Sequence, residues 1–173
     1  RECWRDVDAL KGGVRELVTR THLLGECAPE PLGSLVSRVQ AALRAELAGL
    51  KEGWAARADE MESWIAGQRE RQPKCFNGTK MRPDSLVKWF EALRAWANDP
   101  ALVMPNLNKT AWDRLCTDGI IAAFAKDFTT EVPACFGFTA PLREALERLQ
   151  PLSHALLRHA ASHIAGRMRE LKA

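Results

Sequence analysis

From Pro31 to Arg71 the apolar residues return at every third or fourth position: Leu32, Val36, Val39, Leu43, Leu47, Leu50, Trp54, Ala58, Met61 and Ile65. That period marks one face of an α-helix. Arg38, Arg44, Glu46, Lys51, Glu52, Arg57, Glu60, Glu62, Arg69 and Glu70 form its charged side. No proline follows Pro31 within the stretch, so the pattern predicts one helix, roughly 55–60 Å long at about 1.5 Å per residue. Such a helix needs partners along its apolar face, because packing supplies most of its stability.

The rest of the chain reads as those partners. A first helix over about Glu2 to Leu24 carries Cys3, Val7, Leu10, Val14, Leu17, Thr21 and Leu24 as a heptad-like seam. Gly12-Gly13 weakens it, and a kink or a close helix approach is expected there. Gly25 stops it, and the connector to Pro31 folds the second helix back antiparallel. After a loop from Pro73 to Arg82, a third helix runs from Pro83 to about Asn98 on Leu86, Phe90, Leu93 and Ala97, widened by Trp89 and Trp96. A fourth runs to Phe128 through Trp112, Leu115, Cys116, Ile120, Ala123 and Phe124, with Thr110 as its N-cap, Asp113 three residues on, and Gly119 tolerated inside. The last starts at Thr139 or Ala140 and continues almost to Ala173, on Leu142, Leu146, Leu149, Leu152, Leu156, Ile164, Met168 and Leu171. Pro151 must kink or interrupt it.

No stretch alternates with period two, so no sheet is expected. Connectors of about five to twelve residues favour antiparallel neighbours. The expected fold is all-α, an elongated antiparallel up-and-down bundle of about five helices with two long helices, in a single domain over 1–173.

Composition changes this little. The 173 residues are 46% hydrophobic and 27% charged, which is globular rather than disordered. The 25 basic and 22 acidic side chains give +3 and are interleaved, which argues against a nucleic-acid or membrane-surface partner. The longest apolar run, Gly119 to Ala125, is far too short to span a bilayer. The opening Arg1-Glu2-Cys3, without Met, reads as a processed or excised chain.

Three features carry candidate chemistry. Cys3, Cys27, Cys75 and Cys135 stand at the chain start or in connectors, where a disulfide would staple helix ends. Cys3–Cys75 and Cys27–Cys135 are candidate pairs, though sequence does not fix pairing, and Cys116 is expected to be left buried and free. Asn77-Gly78-Thr79 and Asn108-Lys109-Thr110 are glycosylation acceptors, using two of only four asparagines. His159 and His163 are four apart on one helical face, a spacing that could share a metal, but no third ligand stands at a telling distance. They read as the polar border of the last helix.

The similar pieces Pro73-Lys74-Cys75-Phe76 and Pro133-Ala134-Cys135-Phe136 read as a coincidence of connector chemistry. There is no phosphate loop, nucleophile elbow or metal-ligand set, so neither catalysis nor a cofactor is expected. The expected function is a non-enzymatic protein-recognition domain, exported or at the cell surface. Its protein partner would meet the apolar connector residues Leu102, Val103, Met104, Phe136 and Phe138. The alternative is an intracellular, cytoplasmic adaptor or assembly module with reduced cysteines, and a third reading is a weak nucleic-acid binder.

Overall fold

The computed structural model describes residues 7–19, 30–149 and 152–170. The protein is an all-α helical bundle, with no strand among the described residues and one isolated bridge between Phe76 and Phe124. Its contacts group into two compact units: Arg1–Ala45 with Leu149–Ala173, and Glu46–Arg148. Each is described by itself.

In the first unit, α1 (Val7–Thr19) packs on α8 (Leu152–Glu170). Val14 and Ala161 form the buried centre, with Leu10, Leu17, Val18, Leu157 and Ala160 around it. The heptad-like seam of α1 is therefore turned to α8, its principal partner, rather than to the second helix. A Cβ at Gly13 would come within 3.0 Å of Leu157 Cδ2, whereas one at Gly12 would meet nothing within 4 Å. The glycine pair marks a close approach at Gly13, and α1 runs through it unbroken.

The stretch read as one long helix is α2 (Leu32–Lys51) followed directly by α3 (Trp54–Arg71), joined at Glu52-Gly53. Gly53 adopts φ 74 and ψ 0, the left-handed region that a side chain disfavours. The Arg57 amide donates to the Gly53 carbonyl at 3.0 Å and restarts the helix. In the second unit, which begins inside α2, Leu47, Trp54, Ala58, Met61 and Ile65 of the predicted stripe are buried. α4 (Pro83–Asn98) packs on α3 through Leu86, Trp89, Phe90, Leu93 and Trp96. Arg94 closes that seam, donating to Asp59 at 3.0 Å and Glu62 at 2.7 Å.

The predicted fourth helix is two short ones, α5 (Lys109–Arg114) and α6 (Thr117–Ile121). The N-cap is Asn108, not Thr110: Asn108 Oδ1 accepts the Ala111 N–H at 2.8 Å, and Thr110 lies inside the first turn. Gly119 is not a tolerated interior glycine but the contact point of the two. A Cβ there would lie 2.0 Å from the Asp113 carbonyl oxygen and 2.8 Å from Arg114 Cα. Thr139 Oγ1, fully buried, donates to the Leu115 carbonyl at 2.8 Å and ties down this corner. Beyond α6 the chain does not continue helically to Phe128. Its groups pair with the loop before α4 instead: Asn77 N–H to the Ala123 carbonyl at 2.8 Å, Ala125 N–H to the Cys75 carbonyl at 2.9 Å.

A 3-10 turn over Ala134–Phe138 leads into α7 (Thr139–Arg148). An interruption is expected at Pro151; α7 ends at Arg148 and α8 begins at Leu152. Gln150 and Pro151 themselves lie outside the described residues, as do Cys3 and Cys27.

Candidate functional site

The two Pro-x-Cys-Phe pieces converge on one side chain. Trp64 on α3 meets Phe76 edge-on at 6.1 Å between ring centroids and Phe136 at 5.4 Å. Phe124 and Phe128 extend the cluster from Phe76. In each piece the cysteine is also in the core: Cys75 is 0% exposed and Cys135 3%. Both are free thiols, as is half-buried Cys116. Their suggested partners Cys3 and Cys27 lie outside the described residues. Here Cys75 and Cys135 pack as small apolar side chains.

Burial pushes both thiols up. Cys135 rises to about 11 from an ordinary 9.0, first through desolvation and then through the Glu60 carboxylate beside it. Cys75 moves the same way for the first of these reasons. A raised folded value means the native thiol holds a proton that the unfolded chain has released. The stabilisation is therefore complete below about pH 9 and is lost as pH climbs toward about 11. For Cys135 the loss amounts to about 2–3 kcal/mol, and Cys135→Ala removes that part of the slope. Denaturant titrations of both proteins from about pH 8 to about pH 11 check it.

The residues singled out as partner-facing divide cleanly. Leu102, Val103 and Met104 are 41%, 40% and 44% exposed, three consecutive apolar side chains on the loop after α4. Their backbone is held from beneath. Lys51, itself buried, donates through Nζ to the Asp99 carbonyl at 2.5 Å and the Leu102 carbonyl at 2.6 Å. Trp96 Nε1 donates to the Val103 carbonyl at 3.0 Å. Within the loop, Asp99 Oδ1 accepts the Ala101 N–H at 2.8 Å. Burial lowers the Lys51 ammonium from its ordinary value, and the Asp99 carboxylate opposes that shift. The loop thus has fixed main-chain positions and outward apolar side chains, a pre-organised display.

Phe136 is fully buried against Trp64, so of the second apolar pair only Phe138, 48% exposed, is displayed. Its ring carries the Arg57 guanidinium at 4.6 Å from the centroid. The same guanidinium lies 5.6 Å from the Trp54 ring, and Trp54 meets Trp96 edge-on at 6.4 Å. Lys51 Nζ stands 5.3 Å from the Trp96 ring. A continuous series of rings and cations, Phe138, Arg57, Trp54, Trp96 and Lys51, therefore links the two displayed segments. Beside it lies an open groove of about 550 Å³, bounded by Leu50, Trp54 and Arg57 on one side and Phe138, Pro141 and Leu142 on the other.

Sequence reasoning placed Lys51 on the polar side and missed its role. A signal was present: Leu47, Lys51, Trp54 and Ala58 are spaced four, three and four apart, which puts the lysine on the apolar stripe.

Both acceptor asparagines are exposed, and each uses its carboxamide oxygen locally. Asn77 Oδ1 accepts the N–H groups of Thr79 at 3.0 Å and Lys80 at 3.2 Å; Asn108 Oδ1 caps α5. The amide nitrogen, where a glycan attaches, is not the atom these turns use. His159 and His163 lie with ring centroids 6.4 Å apart. Among the described residues no three His, Cys, Asp or Glu side chains are grouped closely enough to hold a metal ion. No described helix is long and apolar enough to cross a membrane. Compared with known proteins, the chain matches no family model, no curated protein and no solved structure.

Proposed function

We propose that this is a non-enzymatic protein-recognition domain, exported or cell-surface, which meets a protein partner through Leu102, Val103 and Met104. The observation that carries the reading is the loop's construction. Three neighbouring apolar side chains face solvent while a buried lysine and a buried tryptophan hold the carbonyls behind them. An apolar surface on a fixed backbone binds without having to order itself first. The exposed acceptor asparagines support the extracellular placement.

The test is photo-crosslinking from position 101, the exposed residue next to the three apolar side chains, in the full chain on intact cells. A discrete crosslinked partner is expected, and it is lost when Leu102, Val103 and Met104 are all changed to serine. Those exposed changes alter stability by only about 0.5 kcal/mol each or less. Capture that survives the triple change removes the loop from the interface. Secretion from eukaryotic cells is expected to add a glycan removed by Asn77→Gln or Asn108→Gln, and an unglycosylated product counts against export.

The free thiols of Cys75, Cys116 and Cys135 favour a second reading, an intracellular adaptor with reduced cysteines. The seam on α1 that would have served such a module is packed against α8. Nucleic-acid binding gains little, because Arg38, Arg94, Arg143 and Arg148 each face a carboxylate.

A further inference from the structure

Resting on the recognition reading, we propose that the groove at the α2–α3 joint receives a partner peptide in which a carboxylate stands next to large apolar side chains. Two features of the groove select that chemistry. Its walls are apolar, formed by Leu50, Trp54, Phe138, Pro141 and Leu142, while Gly49 and Gly53 leave the end of α2 bare of side chains. A bare helix end lets another main chain approach closely. At about 550 Å³ the space suits one or two large side chains.

The second feature is Arg57. Among the described residues no carboxylate lies within ion-pair distance of it, in contrast to Arg38, Arg94, Arg143 and Arg148. It donates through Nη1 to the Glu52 carbonyl at 2.9 Å, and Gly53 lies under the guanidinium. Phe138 and Trp54 hold the faces of the group. A guanidinium has five N–H donors in a rigid fork that matches a carboxylate. Here the fork is fixed by two rings and one carbonyl, beside an apolar groove, with no acid of its own. Glu52, also at the rim, meets Arg57 through its main-chain carbonyl and is itself exposed. Phe138 has a reason to be exposed in this arrangement: its ring is the platform on which the arginine waits.

The test pans a random dodecapeptide display library on the full chain and measures the selected peptides by tryptophan fluorescence. The expected consensus is Asp or Glu within two positions of Leu, Phe or Trp. Arg57→Gln and Phe138→Ala each weaken these peptides by about tenfold or more. Arg57→Lys, which keeps the charge but not the fork, restores only part of the affinity. Because Arg57 also bonds the Glu52 carbonyl, a second variant leaves that contact alone: Ala145→Glu, on a lining position of α7, blocks the groove. Serines at 102, 103 and 104 leave the peptides bound. Selected peptides without a carboxylate, or with equal affinity for Arg57→Gln and Ala145→Glu, overturn the proposal. Peptides lost only with the 102–104 serines overturn it too while sparing the recognition reading; an empty selection together with no crosslinked partner sinks both.

Discussion

Replacing Gly119 with alanine lowers the stability of the Glu46–Arg148 unit by about 3 kcal/mol or more. The new methyl would sit 2.0 Å from the Asp113 carbonyl oxygen, 2.8 Å from Arg114 Cα and 2.9 Å from the Asp113 carbonyl carbon. All three are main-chain atoms of α5, so no side chain can swing aside. Relief requires α5 and α6 to separate, and the buried bond from Thr139 to the Leu115 carbonyl resists that at the corner between them. The same chemical change at Gly67, inside α3 with nothing within 4 Å, has the opposite sign. There it removes an interior helical glycine and stabilises by about 0.5–1 kcal/mol. Urea midpoints of both variants check the contrast. A Gly119→Ala midpoint close to the native one would mean that the corner opens cheaply.

Trp96→Ala is the second large loss, about 3–5 kcal/mol. Trp96 is fully buried, edge-on to Trp54, with the Lys51 ammonium over its ring. Its truncation leaves a cavity beneath the displayed loop and also deletes the donor to the Val103 carbonyl. Trp96→Phe separates these effects. It keeps most of the ring, loses the N–H, and costs about 1–2 kcal/mol. Faster amide exchange over residues 99–104 is expected in both variants, in proportion to the bond rather than to the cavity. If exchange there is unchanged in Trp96→Phe, Lys51 alone holds the loop.

How far the sequence could be read depends on whether a residue's fate is decided nearby or across the fold. The stripe from Leu47 to Ile65 and the α4 face from Leu86 to Trp96 were legible because a 3.6-residue period is a local property of the chain. By contrast, Phe136 and Phe138 look alike in sequence, and only Trp64, some seventy residues earlier, takes one into the core and leaves the other out. The same tryptophan gathers both Pro-x-Cys-Phe pieces, so their resemblance reflects a shared neighbour. The break between α5 and α6 was hidden for a related reason. Trp112, Leu115, Ile120 and Ala123 keep helical spacing, and the decisive feature, Gly119 against the α5 main chain, is a contact that no periodicity reports. Lys51 was lost to a rule that sends charge outward, although its carbonyl partners satisfy it inside.

The division of the chain has a consequence for how damage spreads. The Glu46–Arg148 unit is one uninterrupted length of chain, whereas the other is assembled from the two segments that flank it. For α1 and α8 the intervening unit is a tether. Folded, it holds its own two ends at one fixed span; unfolded, it becomes a coil of roughly a hundred residues whose closure carries an entropic cost growing as the logarithm of its length. The seam between Val14 and Ala161 is thus sensitive to lesions it never touches. A methyl group at Gly119 reaches the α1–α8 pair only through those molecules in which the Glu46–Arg148 unit has unfolded.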